Sequence, residues 1–397
     1  MSDTSGRLTA RGGAEAEATA TEALARLAQL LGSRIRPAEL VALLLVGDFG
    51  RGEGRVFVDD AGIERPFGDL DFLMLSTNLA SQERVGLERR LQKDLDEQPL
   101  SPGLSARIRV VSLAQMRSAA CSVFWCDARF GHKRLLGDAG PLLAREAFHP
   151  AHMPLVAARN HIVETGLPML AAQIATAPAE GAVAAHLDDA IVGCGSALLL
   201  LLGDYHWSLQ ERQCRMAERT DLPERFRAAF HEACERRLRR DRGAARPCAD
   251  LEIVADMHLA CERLRLRAPD LTWEDYPDAA CRATLKQLAR APISLAIRTI
   301  DPPVAPHPRG IGSWCGRLGL RCAPRSDVLA LVYPVVAYNL SSRDYAGLAA
   351  EALDVWSGDR TDLRRAFVQA WLLSQEHDVY AEIARPGSVQ TGMPTAA

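Results

Sequence analysis

The chain has 397 residues, 48% of them hydrophobic and 24% charged, which is long enough for two domains and too well balanced for a disordered, collagenous or mucin-like protein. Its formal net charge is -3, from 47 basic and 50 acidic residues, so nucleic acid and anionic membranes are not expected partners. Lys93, Lys133 and Lys286 are the only lysines; nearly every positive charge is a planar, permanently charged guanidinium.

Residues 1–18 are rich in Ala, Gly, Thr and Glu without periodicity and are predicted to form a disordered tail. Leu24, Leu27, Leu30 and Leu31 then recur at helical spacing, predicting a helix that ends at Gly32. Val41–Val46 and Leu70–Leu75 are continuous apolar runs of strand length. Between them lie the glycine-rich loop Gly47–Gly54 and a variable stretch, Val56–Phe67, with turn signals over Asp59–Gly62. A helix is predicted over 80–96, with Val85, Leu87, Leu91 and Leu95 as its apolar stripe, and a strand over 107–112.

Beyond Pro150 long helical patterns take over, with helices predicted at about 154–176, 185–204, 223–240, 250–267, 276–298, 326–339, 343–356 and 361–378. Pro302–Pro308, with Gly310 and Gly312, reads as an interruption between two parts of this helical region. The expected architecture is α+β: a small mixed-sheet domain over 19–148, a larger all-helical domain over 149–385, and a second disordered tail over 386–397.

Ten cysteines with no C-x-x-C pair are too dilute for a disulfide scaffold, and they read as thiols of a reduced cytosol. The N-terminus has no apolar core of a secretory signal, and the longest apolar run, Ala190–Leu202, falls short of a membrane span. A cytoplasmic protein without a membrane partner is the expectation.

The informative stretch is Gly47-Asp-Phe-Gly-Arg-Gly-Glu-Gly54 followed by Gly68-Asp-Leu-Asp71. A glycine loop leaving a buried strand lets backbone N–H groups approach an anion closely. Asp69 and Asp71, two residues apart at a strand start, point to the same side of the pleat. Two like charges held together call for a cation, and Mg²⁺ suits a carboxylate pair that also faces phosphates. A phosphate loop with a metal-binding carboxylate pair is the equipment of metal-assisted nucleotidyl transfer.

The hydrophobic strand, the Arg-Gly loop and Asp-x-Asp on the next strand, carried here by Gly47, Arg51, Gly52, Asp69 and Asp71, resemble the nucleotidyltransferase superfamily of minimal and aminoglycoside-type enzymes. The resemblance covers about residues 22–145 and includes Val123–Asp138, which looks like the closing helix and short strand of such domains. It implies transfer of a nucleoside monophosphate from an NTP, ATP among them, to a hydroxyl of a small molecule or protein, with in-line attack at the α-phosphate. It further implies Asp69 and Asp71 as catalytic metal ligands and Gly47, Asp48, Gly50, Arg51 and Gly52 as nucleotide-binding. Two departures stand out. Asp48 replaces the usual Ser or Gly, and the family's third carboxylate aligns with Arg109 on a strand that offers no acid. Asp48 or Glu53 is then the available replacement ligand. A degenerate domain that binds nucleotide or a partner without turnover is the alternative.

Other features have plainer readings. Asp188 and Asp189 suit a helix N-terminus, Gly203–Trp207 an aromatic corner, and the basic run Arg236–Arg242 a solvated helix end. The ten histidines show no H-x-x-x-H or H-E-x-x-H spacing.

Overall fold

The computed structural model describes residues 6–59, 61–175, 182–241, 251–288, 325–338 and 359–375, with single positions between 340 and 355. Two apolar runs form the centre of the sheet. Leu40–Val46 (β1) pairs antiparallel with the long strand Glu64–Ser76 (β3), from Leu40↔Ser76 to Val46↔Asp71. Arg55–Val58 (β2) pairs antiparallel with the opening residues of β3, from Val58↔Glu64 to Arg55↔Phe67. The remaining strands are Leu104–Ser112 (β4), parallel to β3, Lys133–Gly137 (β5), antiparallel to β1, and Arg239–Asp241 (β6), parallel to β2. The fold is therefore α+β, with one mixed sheet of order β5-β1-β3-β2-β6, β4 lying beside β3, and fourteen helices among the described residues.

Period-two alternation decides what each sheet face carries. Leu43 and Leu45 of β1, Leu70, Phe72 and Met74 of β3, and Ala106, Ile108 and Val110 of β4 form one core. Their cover is Leu24, Leu27 and Leu31 of Ala14–Arg34 (α1) and Leu87, Leu91 and Leu95 of Ser81–Asp96 (α3). Each fully buried leucine contributes about 1.5–3 kcal/mol. The outer edge of β4 is closed by α3 side chains: Gln92 bonds both Ala106 O and Ile108 N, Glu88 accepts from Val110 N at 2.7 Å, and Arg84 donates to Val110 O at 3.1 Å. This blunts an edge that would otherwise recruit another strand.

A short helical turn, Gly47–Gly50 (α2), leads out of β1. After β4 come Leu113–Ser118 (α4), Val123–Phe130 (α5) and Gly140–Leu143 (α6), then Leu155–Ile174 (α7), Ala182–Leu201 (α8), Leu209–Glu218 (α9) and Glu224–Leu238 (α10). The last four are Leu251–Leu266 (α11), Tyr276–Leu288 (α12), Arg325–Ala337 (α13) and Arg360–Gln375 (α14). No helix among the described residues is long and apolar enough to cross a membrane.

The described residues fall into two compact units. Those up to Ala158, together with Leu202–Asp241, form the unit that contains the sheet, so α9, α10 and β6 belong with it rather than with the remaining helices. Those within Arg159–Leu201 and from Leu251 onward form the second. Its interior holds a buried polar cluster: Arg159 donates to Tyr276 Oη at 3.2 Å, Arg265 pairs with Glu262, and His258 Nδ1 lies 3.0 Å from Tyr338 Oη.

Several elements differ from the sequence expectation. Residues 6–18, expected in a tail, are folded: Leu8 and Thr9 are buried, and Glu17 accepts from the backbone of both. Helix α1 runs two residues past Gly32, where a side chain would crowd Leu136 of β5, so that glycine serves close packing rather than termination. In the variable stretch, Val56–Val58 and Glu64–Phe67 pair antiparallel as parts of β2 and β3. Helix α8 starts at Ala182, which leaves Asp188 buried inside it rather than at its N-terminus. The basic run does not end as a solvated helix: Arg239 and Arg240 form the edge strand β6, with Arg239 paired to Glu64 at 2.6 Å and Arg240 over the Phe67 ring. The predicted interruption at 302–312, the tail over 386–397 and most of the helix over 343–356 lie outside the described residues.

Candidate active site

Because Leu70 and Phe72 point into the core, Asp69 and Asp71 point to the other face of β3, side by side. The parallel register sets Ser105 opposite Asp69 and Arg107 opposite Asp71. Ser105 Oγ donates to Asp69 Oδ1, and Arg107 Nη2 lies 3.3 Å from Asp69 Oδ2. Asp71 is half-buried and its pKa is pushed up to about 7, first by burial and then by the charge of Asp69, against a smaller opposing pull from Arg107. The antiparallel partner of Asp71 is Val46, the last residue of β1, so the connection to β2 starts beside this carboxylate. Gly47 there has φ of +67°, and a methyl group on it would collide with Asp71 Oδ2. Both facts favour glycine. The structure thus brings together Asp69, Asp71 and Gly47.

The rest of the predicted loop is engaged elsewhere. The Arg51 side chain is only 8% exposed and is surrounded by three carboxylates: Asp48, Glu53 at 3.0 Å and Asp127 of α5 at 3.3 Å. Asp48 in turn meets Arg55 at 2.9 Å and Arg237 of α10 at 3.3 Å. Burial alone would raise the Asp48 pKa, but Arg237, Arg55 and Arg51 outweigh it and hold the carboxyl well below its usual range. The same opposition works on Arg51, where burial lowers the pKa and Asp48, Asp127 and Glu53 raise it further. Glu53 caps α9: it accepts from Ser208 Oγ at 2.6 Å, Leu209 N at 3.0 Å and Gln210 N at 3.1 Å. Asp127 also accepts from Tyr205 Oη at 2.7 Å, which gives the aromatic corner at 203–207 its anchor.

The other glycines of the loop have close neighbours. A side chain at Gly50 would strike Leu45 O, one at Gly52 would strike Arg7 O, and one at Gly54 would strike the Phe49 ring. Gly54 N donates to Leu8 O at 2.8 Å, so the folded N-terminal segment lies on the loop. Asp48, Arg51 and Glu53 therefore build a closed ion network, and Gly50 and Gly52 permit its tight packing.

Arg109, the residue aligned with a third carboxylate, lies on the same face as the aspartates, opposite Leu73, with its guanidinium 5.3 Å from the centre of the Phe124 ring. Arg107 and Ser105 were missed because the choice between positions 105, 107 and 109 depends on register, which the strand's alternation leaves open. Among the described residues no group of three or more His, Cys, Asp or Glu side chains could hold a metal ion. Neither a family model, nor a curated protein, nor a solved structure matches this chain.

Proposed function

We propose that the Asp69–Asp71 face is the active site of a nucleotidyltransferase that moves a nucleoside monophosphate from an NTP onto a hydroxyl of a small molecule or protein. The supporting observation is the adjacency of two carboxylates on one sheet face, beside a glycine turn that admits Asp71 against its backbone. The donor set suits Mg²⁺: the oxygens are hard, Asp69 is 32% exposed to solvent, and Asp71 carries a pKa raised by burial and by the neighbouring Asp69 charge, which a cation would relieve. Asp69 and Asp71 would hold that ion, which when bound supplies neutralisation of phosphate charge. The acceptor oxygen attacks the α-phosphorus, the bond to the β-phosphate bridging oxygen breaks, pyrophosphate leaves and the hydroxyl proton passes to solvent. The closed network of Asp48, Arg51 and Glu53 fixes the turn that Asp71 leans on, so the loop acts through position rather than through contact with the nucleotide.

A second reading, nucleotide or partner binding without turnover, is favoured by one observation. The residue opposite Asp71 is Arg107, and no third acid completes a metal-holding group with the pair among the described residues, the Asp48 charge reaching Asp71 only as a weaker repulsion. Incubation with each α-labelled NTP, Mg²⁺ and a metabolite extract separates the two. Pyrophosphate release that disappears in Asp69→Asn and Asp71→Asn supports catalysis, and release that survives both substitutions refutes it. Nucleotide binding by calorimetry with no release supports the binding module.

A further inference from the structure

Arg107 and Arg51 are both paired with acids, but their freedom differs. Arg51 is 8% exposed among three carboxylates. The pair between Arg107 and Asp69 is at 3.3 Å, with side chains 35% and 32% exposed. Exposed pairs of this kind are weak and readily exchanged. Arg107 also faces Asp71 across the parallel register. Its charge therefore serves both carboxylates at once, in the position where a bound cation would serve them.

We propose that Arg107 is a resident counter-cation of the carboxylate pair. In the free protein its guanidinium neutralises Asp69; when a divalent cation takes the carboxylates, Arg107 gives up that partner and offers its charge to the phosphates of a nucleoside triphosphate. The proposal rests on the metal-assisted reading above and adds to it a phosphate-binding residue. It has two consequences. Metal alone binds weakly, because it competes with Arg107 for Asp69. An anion that takes the guanidinium relieves that competition, so metal and nucleotide strengthen each other's binding by the same factor.

The test uses Mn²⁺ as the probe, followed by its paramagnetic resonance signal, in the full chain with and without a non-hydrolysable α,β-methylene triphosphate. Arg107→Gln is expected to bind Mn²⁺ alone about fivefold more tightly, the factor that corresponds to losing an exposed ion pair of about 1 kcal/mol. After subtraction of the Mn²⁺ that the triphosphate chelates in protein-free solution, it should also show a smaller enhancement by the triphosphate than wild type, whereas Arg107→Lys keeps both wild-type properties. A circular dichroism spectrum unchanged from wild type checks the fold of each variant. If wild type binds Mn²⁺ and Arg107→Gln binds it equally or less tightly, the role given to Arg107 is overturned while the metal site stands. If no form binds Mn²⁺, the metal-assisted reading fails and Arg107's role fails with it.

Discussion

Substituting Asp71 by Asn keeps the shape of the side chain beside Gly47 and removes its charge, which isolates the electrostatic strain that burial and the Asp69 charge together place on this carboxyl. The folded chain holds the Asp71 proton up to about pH 7, while the unfolded chain releases it near the ordinary value of 3.8. Between those pH values the native state binds more protons than the unfolded state, so stability falls as pH rises through this window and is level above it. A rise from 3.8 to about 7 corresponds to an upper limit of about 4 kcal/mol, at 1.36 kcal/mol for each pKa step. Because Asp71 is only half-buried, solvent screening reduces this to about 2 kcal/mol. Urea unfolding in EDTA, followed through tryptophan fluorescence at pH 4, 5.5, 7 and 8, measures the difference between wild type and Asp71→Asn. The variant should gain on wild type by about 2 kcal/mol between pH 4 and pH 8. A difference that stays constant with pH would refute the strain that burial and the Asp69 charge place on Asp71.

Asp48→Asn should have the opposite sign, destabilising the chain by about 3 kcal/mol at neutral pH because three guanidiniums lose their shared carboxylate. Since the folded pKa of Asp48 is depressed, its contribution is fully present above 3.8 and is lost only as pH falls through the low folded value, so the penalty should shrink only in strongly acidic urea titrations. Glu53→Gln weakens the cap on α9 and is expected to cost about 1–2 kcal/mol, read as faster amide exchange at Leu209 and Gln210. Gly47→Ala meets both a positive φ and Asp71 Oδ2, so it should lower the unfolding midpoint more than Gly62→Ala, where φ is +76° in open space; equal losses would show that the contact with Asp71 carries no strain.

The parts of this fold legible in the sequence are those with short-range causes. The apolar runs of β1 and β3 and the stripe of α3 announce themselves by periodicity, and the shared face of Asp69 and Asp71 follows from a spacing of two. The parts that were not legible depend on residues far apart in the chain. Arg51 looks like a phosphate fork until Asp127 meets it from 76 positions away, and Glu53 looks like a spare metal ligand until the N-terminus of α9, 156 positions on at Leu209, claims it. Residues 7–9 have no pattern of their own; their order comes from docking on the glycine turn through Gly54 and Glu17. Helix α9 has few apolar positions, and its start is fixed by Ser208 and Glu53 rather than by a hydrophobic stripe.

The same eight-residue loop thus serves two charge arrangements with different physics. In the closed one, every carboxylate of Asp48, Glu53 and Asp127 has a guanidinium partner, so removing a charge leaves a buried partner exposed to desolvation without compensation. In the open one, Asp71 is held beside Asp69, and the charges of Arg107 and Arg109 offset burial and the Asp69 charge only in part, so removing a charge relieves the fold. Strain of the second kind persists in a native state when something besides stability selects for it. The sign of the stability change on neutralising each aspartate therefore distinguishes a residue that holds the turn together from one that strains it: a loss for Asp48→Asn and a gain for Asp71→Asn above pH 7 are the outcomes that these two arrangements predict.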